Sequence, residues 1–291
     1  MARTPQIQFF RPDAYEGIEL HSGTAVRREV PRHWHEEYHL CAHTAGAGAL
    51  CYRGTEHHNP IGSVNMVEPG EVHSNRTDHP EGCDYRALNF DASHFALAVE
   101  EVTSRSATPA FVAPVSYDPE TYRRFVRLHQ ALVDGEDLIE QQVLFLGFLV
   151  SLLERHTAAK PSLKPAKREK RAVNLVRDYL SANYSERIDL ARLSRLTGLS
   201  PYHLTRVFAA DTGLPPHAFL KQVRISRAMA LLRQKNEISR VALETGFADQ
   251  SHLTRSFKHI VGISPGAYSR LTASNCGQGI RMNAPACTLE A

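Results

Sequence analysis

The 291-residue sequence lacks any long apolar run. Its longest nearly apolar stretch, Val143 to Leu153, is far shorter than the roughly 20 residues that cross a bilayer. The first residues, MARTPQIQFFRPD, contain no apolar signal-peptide core. The five cysteines are odd in number and show no CxxC spacing, so they predict neither a disulfide framework nor a zinc finger. We therefore expect a cytoplasmic protein with no membrane partner.

Lysine is absent from the first 159 residues, where 13 arginines face 22 acidic residues and give a net charge of −9. From Lys160 onward, 21 lysines and arginines face 9 acidic residues and give +12. One half of the chain thus repels polyanions and the other attracts them. Charge alone leaves nucleic-acid binding and a merely solvated basic surface equally open, so motifs must decide.

The chain divides by composition into a β-rich part and a helical part. Short β-branched and aromatic runs between glycines and prolines predict a β domain over residues 1–117. Apolar spacing near 3.6 predicts a helical hairpin within 118–158. Two prolines and little apolar content predict a linker at 159–167. Residues 168–271 are predicted to be all helical, and 272–291 to form a loose tail.

The helical part contains an internal repeat. The tetrapeptide HLTR occurs at 203–206 and again at 252–255, and the same offset carries Phe208 onto Phe257 and Gly213 onto Gly262. Each copy predicts a helix, a tight turn and a second helix. Gly198 and Gly246 end the first helices, and Ser200 and Asp249 cap the second ones.

The second helix of each copy has one apolar and one polar face. The spacing of Leu204, Val207 and Phe208, and of Leu253 and Phe257, predicts buried stripes. Arginine, glutamine, hydroxyl and aromatic side chains lie off those stripes and suit base edges in a major groove. They are Tyr202, Thr205 and Arg206 in the first copy, and Gln250, Ser251, Thr254 and Arg255 in the second. The alternatives are a solvated helix face, or a second copy that only supports the first.

The segment between the copies, 218–234, predicts one continuous helix that acts as a rigid spacer. Two recognition helices held on it could enter successive major-groove segments about 34 Å apart. Its basic residues Lys221, Arg224 and Arg227 are interpreted as phosphate contacts or surface salt bridges rather than base readers.

Residues 168–271 resemble the paired helix-turn-helix domain of the AraC family of bacterial transcription regulators. The resemblance rests on GLSPYHLTRVF, FLKQVRISRAMALL, ALETGFADQSHLTRSFK and the closing GISPGAY. Leu253 departs from the Phe that many members have at that position. The resemblance implies double-stranded DNA as a partner and assigns its recognition to Tyr202, His203, Thr205, Arg206, Gln250, Ser251, His252, Thr254 and Arg255.

Histidine is concentrated in the β domain, with 12 of the 16 before Lys160. In the segment HWHEEYHL, strand alternation would place His33, His35, Glu37 and His39 on one face. A second element, from Gly62 through a Pro-Gly turn, leads to His73. The pair resembles the two motifs of cupins, small β-barrels that hold ligands in a central cavity. AraC-type regulators commonly carry such a barrel for effector binding and dimerisation.

Three interpretations of these histidines stay open. An organic effector could be held by His33, His35, Glu37, His39 and His73. A divalent metal could be bound by His33, His35, His39 and His73. In this case His39 stands at the position where metal cupins have Glu, and Glu37 could take the place of that Glu. A purely structural network is the third. Cys41 and Cys51 are either a redox pair on neighbouring strands or small buried residues.

The sequence thus predicts a two-domain α+β protein, with an amino-terminal cupin-like β-barrel and helical hairpin and a carboxy-terminal all-α double helix-turn-helix domain. Its predicted function is sequence-specific transcription regulation under a small-molecule effector, without enzymatic activity or a required cofactor. A homodimer and RNA polymerase are further expected partners. The hairpin either forms the dimer contact or packs on its own barrel. The alternative function is a metal-dependent cupin enzyme fused to a DNA-binding domain.

Overall fold

The computed structural model describes residues 4–27, 29–77, 79–103, 109–158 and 169–274. The predicted linker at 159–167 and nearly all of the predicted tail lie outside these ranges. The chain divides into two compact units, 1–176 with 188–217, and 177–187 with 218–291. The first helix-turn-helix copy therefore belongs to the first unit. None of the described helices is both long and apolar enough to span a bilayer.

The described residues of the first unit form ten strands in two antiparallel sheets. One sheet has the order β1-β2-β9-β4-β7-β10 and the other β3-β8-β5-β6. The strands are β1 Gln6–Phe10, β2 Ile18–Val26, β3 Glu29–His33, β4 Tyr38–Ala45, β5 Gly48–Tyr52, β6 Thr55–Asn59, β7 Val64–Val67, β8 His73–Thr77, β9 Cys83–Phe90 and β10 Val115–Ser116.

The sheets do not close into the predicted barrel. Within the described residues β1 pairs only with β2, and the two-residue β10 pairs only with β7, so both edges of the larger sheet stay unjoined. The chain passes between the sheets through turns rather than through continuous hydrogen-bonded strands. The β domain is accordingly an open pair of sheets with a cupin-like strand pattern.

Three helices of the first unit pack on the larger sheet. They are α1 Ala92–Thr103, α2 Pro119–Val133 and α3 Leu138–His156. One buried cluster joins Leu20, Leu40 and Leu88 of the sheet to apolar helix residues such as Phe125 and Phe148. The hairpin is therefore confirmed at α2 and α3, and its apolar face packs on its own sheet. The helix α1 was not predicted.

The remaining helices carry the repeat. They are α4 Lys170–Ala182, α5 Leu190–Thr197, α6 Pro201–Thr212, α7 Pro216–Arg233, α8 Ile238–Glu244, α9 Gln250–Val261 and α10 Pro265–Ser274. Gly198 ends α5 with a φ of 69°, and Asp249 caps α9 by accepting the N–H of His252. The predicted buried stripes are confirmed, since Leu204, Val207, Phe208, Leu253 and Phe257 are at most 3% exposed.

In the second unit, Arg224 of α7 and Gly246, just after α8, contact the segment at 184–186. Gly246 has a φ of 81°, and an added Cβ would lie 2.8 Å from Ser185 Cα. Arg224 is 1% exposed, and its guanidinium donates to the carbonyl oxygens of Tyr184 and Glu186. The interpretation of Arg224 as a phosphate contact or surface salt bridge is therefore wrong, because the charge is buried and already engaged by the backbone.

Candidate effector cavity and DNA interface

The histidine-rich segment is not one strand. The strand β3 ends at His33, residues 34–37 form a turn, and β4 begins at Tyr38 in the other sheet. The prediction of a single alternating strand is therefore wrong, because polar residues with neither Gly nor Pro gave no turn signal. The turn is fixed by a 2.8 Å bond from the Gly70 N–H to the His35 carbonyl.

The turn nevertheless brings the predicted histidines together. His33 and His73 face each other across the β3–β8 pair, with ring centroids 4.3 Å apart. The His35 ring lies 4.9 Å from that of His73 and 5.5 Å from that of His39, which projects from the opposite sheet. Residues on two sheets and one turn thus form a single cluster.

The cluster lines a cavity of about 270 Å³ between the sheets. Sequence reasoning missed several of its polar lining residues, because only the strand register shows which of them face inward. The lining residues of the cavity are Phe9, His21, Val26, Val30, His33, His35, His39, Cys41, His43, Ala49, Asn65, His73, Asn75, Arg76, Thr77, Cys83, Tyr85 and Asn89.

Each of four histidines is oriented by a hydrogen bond at Nδ1. The partners are the carbonyl oxygens of Pro31 for His33 (2.9 Å), Glu37 for His35 (2.8 Å) and Glu71 for His73 (3.1 Å), and Asn89 Oδ1 for His39 (2.6 Å). Because a carbonyl oxygen only accepts, each Nδ1 donates its proton. The lone pair is then left on Nε2.

Burial keeps His35, His39 and His73 uncharged. Desolvation lowers the pKa of His73 to about 4 and that of His39 to about 3, and it also lowers the pKa of His35. Neighbouring histidines lower all three further, since like charges disfavour protonation. These three imidazoles are therefore neutral at neutral pH.

Glu37 and the cysteine pair Cys41 and Cys51 differ from their predicted places. Glu37 contributes its carbonyl oxygen to His35 and is not among the cavity-lining residues. Cys41 and Cys51 lie on β4 and β5 in different sheets, and both are free thiols. Cys41 lines the cavity, where burial raises its pKa to about 12. The two thiols are thus not on neighbouring strands.

The second helix of the first repeat copy, α6, is held at its N-terminus by the amino-terminal domain. The Ser200 side chain makes no capping bond, although it occupies the N-cap position. Instead Glu101 Oε1 of α1 accepts the Tyr202 N–H at 2.7 Å. The Gln142 Oε1 of α3 likewise accepts the Leu190 N–H of α5 at 2.8 Å. Both partners are far away in sequence, and no local pattern could have indicated them.

The predicted DNA-reading side chains of α6 are half-buried in this arrangement. The guanidinium of Arg206 lies 5.6 Å from the Tyr202 ring centroid. Burial and the nearby Glu154 of α3 raise the pKa of Tyr202. Thr205 donates its hydroxyl proton to the Pro201 carbonyl at 2.8 Å. His203 is half-buried as well.

In α9 the polar face is open. Gln250, Ser251 and Arg255 are exposed and Thr254 is partly exposed, so they project from the first turns of the helix. His252 differs, since it is 3% exposed and its ring meets the edge of Phe247 at 5.1 Å. Because its side chain is buried, His252 contributes to packing and is not placed to contact a base directly.

Two family models match separate ranges of the chain. The AraC-like ligand binding domain matches residues 16–148, and a helix-turn-helix domain matches residues 193–271. The first range contains every described strand except β1, together with most of the hairpin. The second begins within α5 and ends within α10.

Similar proteins are described as transcription regulators. The HTH-type transcriptional regulator YbfI of Bacillus subtilis is 29% identical over 83% of this chain and 87% of that protein. The MmsAB operon regulatory protein of Pseudomonas aeruginosa is 26% identical over 88% of this chain and 82% of that protein. A solved chain from Rhodopseudomonas palustris CGA009, described as a "probable AraC family transcriptional regulator", is 30% identical over 35% of this chain and 97% of that chain, with a TM-score of 0.33.

The matches and the fold agree on a ligand-binding domain joined to a duplicated DNA-binding motif, which is the organisation of an effector-controlled regulator. They give no support to the alternative of a cupin enzyme fused to a DNA-binding domain. The chain belongs to the AraC family of DNA-binding transcription regulators.

Proposed function

We propose that an effector bound between the two sheets controls how firmly the amino-terminal domain holds α6, and thereby controls DNA binding. The observation that carries this proposal is the 2.7 Å hydrogen bond between Glu101 and the Tyr202 N–H. It joins a helix of the ligand-binding domain to the N-terminus of a recognition helix.

The carboxylate of Glu101 competes with DNA for the same end of α6. The free N–H groups and the dipole of a helix make its N-terminus attractive to anions, whether carboxylate or phosphate. Recognition helices of the helix-turn-helix type present their N-terminal residues to base edges. While Glu101 occupies this end, a negative charge faces the side from which DNA would approach. The docked arrangement is therefore the state of lower DNA affinity.

A short route connects the cavity to Glu101. Asn89, on β9, lines the cavity and accepts a hydrogen bond from His39. The strand β9 ends at Phe90, and α1, which carries Glu101, begins two residues later at Ala92. A ligand that binds His39 or Asn89 acts on the strand that leads directly into α1. For control to follow, that ligand must bind one of the two arrangements more tightly than the other.

The proposed effector-binding residues are His33, His35, His39 and His73. Their rings converge on one cavity from both sheets. Glu37 is left out of this set because the cavity lining does not include it.

The proposed DNA-reading residues are the polar groups of α6 and α9. In α9 the open face supports Gln250, Ser251, Thr254 and Arg255 as readers, because each can donate to or accept from a base edge. In α6 the corresponding set is Tyr202, His203, Thr205 and Arg206, available once Glu101 is released.

Substitution of Arg255 tests DNA reading by α9. With Arg255→Ala we expect a loss of about 1–3 kcal/mol for the preferred sequence and relaxed specificity at one groove segment. The matched control is Lys258→Ala, which removes an exposed positive charge from the same helix. This substitution should weaken binding to all DNA sequences alike, because a phosphate contact carries no information about the base. Quantitative footprinting on the chain's own upstream region measures both. An unchanged footprint and affinity with Arg255→Ala would refute reading by two helices.

Homodimerisation and recruitment of RNA polymerase stay predictions. The apolar face of the hairpin packs on its own sheet, so its apolar content no longer requires a second subunit. We propose no catalytic role for the cavity histidines, since the related proteins are described as regulators.

A further inference from the structure

Three histidines of the cavity each place one potential ligand atom close to those of the other two. Ligand atoms of His33, His35 and His73 all lie within 4.8 Å of one another. Three atoms at that spacing can contact one ion at ordinary metal–nitrogen distances of about 2.0–2.1 Å after small side-chain adjustments. His39 is not part of this group, so the predicted four-histidine set narrows to three.

The hydrogen bonds prepare these histidines as ligands. Each Nδ1 donates to a backbone carbonyl, from Pro31, Glu37 or Glu71, so each Nε2 carries the lone pair. An imidazole bound to a metal characteristically donates its other N–H to a carbonyl or carboxylate, which fixes the orientation of the ring. All three members of the group have this arrangement before any ion is considered.

One of the three Nε2 atoms lacks a hydrogen-bond partner among the described residues. His35 Nε2 is buried and has no hydrogen-bond partner among the residues that the structure describes. A buried polar atom without a partner costs free energy, and a metal ion satisfies such an atom as well as a donor does.

The donor set selects the kind of metal. The described lining of the cavity contains no aspartate or glutamate. Magnesium and calcium prefer oxygen ligands, whereas imidazole suits zinc, nickel, cobalt and copper. A three-histidine set also leaves coordination positions for water or an organic ligand.

We propose that His33, His35 and His73 bind one divalent transition-metal ion, of the zinc, nickel or cobalt type, through their Nε2 atoms. The regulatory role of that ion, as the effector or as the anchor of an organic effector, rests on the function proposed above. Binding of the ion does not.

The test uses the full chain, free of any affinity tag and stripped with a chelator. Zinc, nickel and cobalt are titrated by calorimetry, with magnesium and calcium as hard-cation comparisons. Trp34 is the only tryptophan of the chain and lies between two of the proposed ligands, so cobalt or nickel binding should quench its fluorescence. We expect saturation at one ion per chain, with no saturable magnesium or calcium binding.

Variants identify the ligands. His35→Gln and His73→Gln should each weaken binding by at least the roughly 10–100-fold that follows from disturbing even the outer hydrogen bonds of a metal site. The control His58→Gln changes an exposed histidine on β6 and should bind like the wild type. Circular dichroism checks that each variant is folded. Wild-type affinity in both folded cavity variants would overturn the proposal.

The cobalt spectrum of the unaltered chain keeps the test decisive if the variants do not fold. Cys41 and Cys83 also line the cavity. A thiolate-to-cobalt charge-transfer band would show cysteine ligation and overturn the three-histidine assignment, whereas a spectrum without it supports nitrogen ligation. DNA binding by the metal-free chain is measured separately. Its failure counts against the proposed function, while the lack of saturable metal binding counts against this site.

Discussion

Glu101 offers a direct test of the coupling between the ligand-binding domain and α6. Its carboxylate accepts the Tyr202 N–H at 2.7 Å, in place of the missing Ser200 cap. Loss of a side-chain cap at a helix N-terminus costs about 1 kcal/mol, within a range of about 0.5–2. Glu101→Ala removes this cap only from the docked arrangement, so the equilibrium shifts toward released α6 by about that amount.

A shift of about 1–2 kcal/mol changes a two-state ratio by about 5–30-fold. When only the released state binds DNA, the apparent affinity is the intrinsic affinity multiplied by the released fraction. We therefore expect Glu101→Ala to bind DNA up to about 5–30-fold more tightly than the wild type without effector. Glu101→Gln should lie between them, because it keeps an oxygen acceptor and loses the charge. Fluorescence anisotropy of a labelled operator at fixed salt measures the change.

The matched control is Glu100→Ala, which removes the same charge from the neighbouring, exposed position of α1. If Glu100→Ala tightens DNA binding as much as Glu101→Ala, general removal of negative charge explains the effect and the cap has no special part. Unchanged affinity in Glu101→Ala would refute the reasoning outright, because it would mean that the docked contact does not oppose DNA binding.

Two further predictions concern stability. Gly246→Ala should destabilise the second unit clearly more than Gly262→Ala in thermal unfolding, because both glycines have positive φ but only Gly246 lies against a neighbour, Ser185; equal losses would contradict the close approach. Desolvation lowers the pKa of the buried His129 to about 4, so the folded state binds fewer protons than the unfolded state below pH 6.5, and stability is lost as pH falls from about 6.5 toward 4. Between pH 7 and 4.5, the free energy of unfolding measured with urea should therefore fall by roughly 2 kcal/mol less in His129→Gln than in the wild type. An identical pH dependence of the two proteins would show that His129 does not titrate in this way.

The helical repeat could be predicted from sequence because its signals are local. A glycine with positive φ ends α5, and Asp249 caps α9, at the residues where the sequence placed them. The apolar stripes followed from a fixed period along one helix. Each of these features depends on residues within a few positions of one another, and a single sequence contains them.

Features that depend on distant partners could not be predicted in the same way. The histidine segment alternates as one strand would, but residues 34–37 cross between two sheets because of the Gly70–His35 hydrogen bond, which joins residues 35 positions apart. The helix α1, which lies between β9 and β10 along the chain, was not predicted from the sequence. Its Glu101 gained a role only through Tyr202, 101 positions later. Arg224 could be recognised as buried only once its carbonyl partners were in place.

The burial of Arg224 changes how the ionic-strength dependence of DNA binding should be interpreted. Each phosphate that a protein neutralises releases counterions and steepens the fall of log affinity with log salt by about 0.9. Counting every cation of the spacer helix would include Arg224, whose guanidinium is committed to the carbonyls of Tyr184 and Glu186. The exposed Arg227, in contrast, is at the surface. A measured slope therefore counts only the phosphates neutralised by cations that reach the DNA, and Arg224 does not belong in that count.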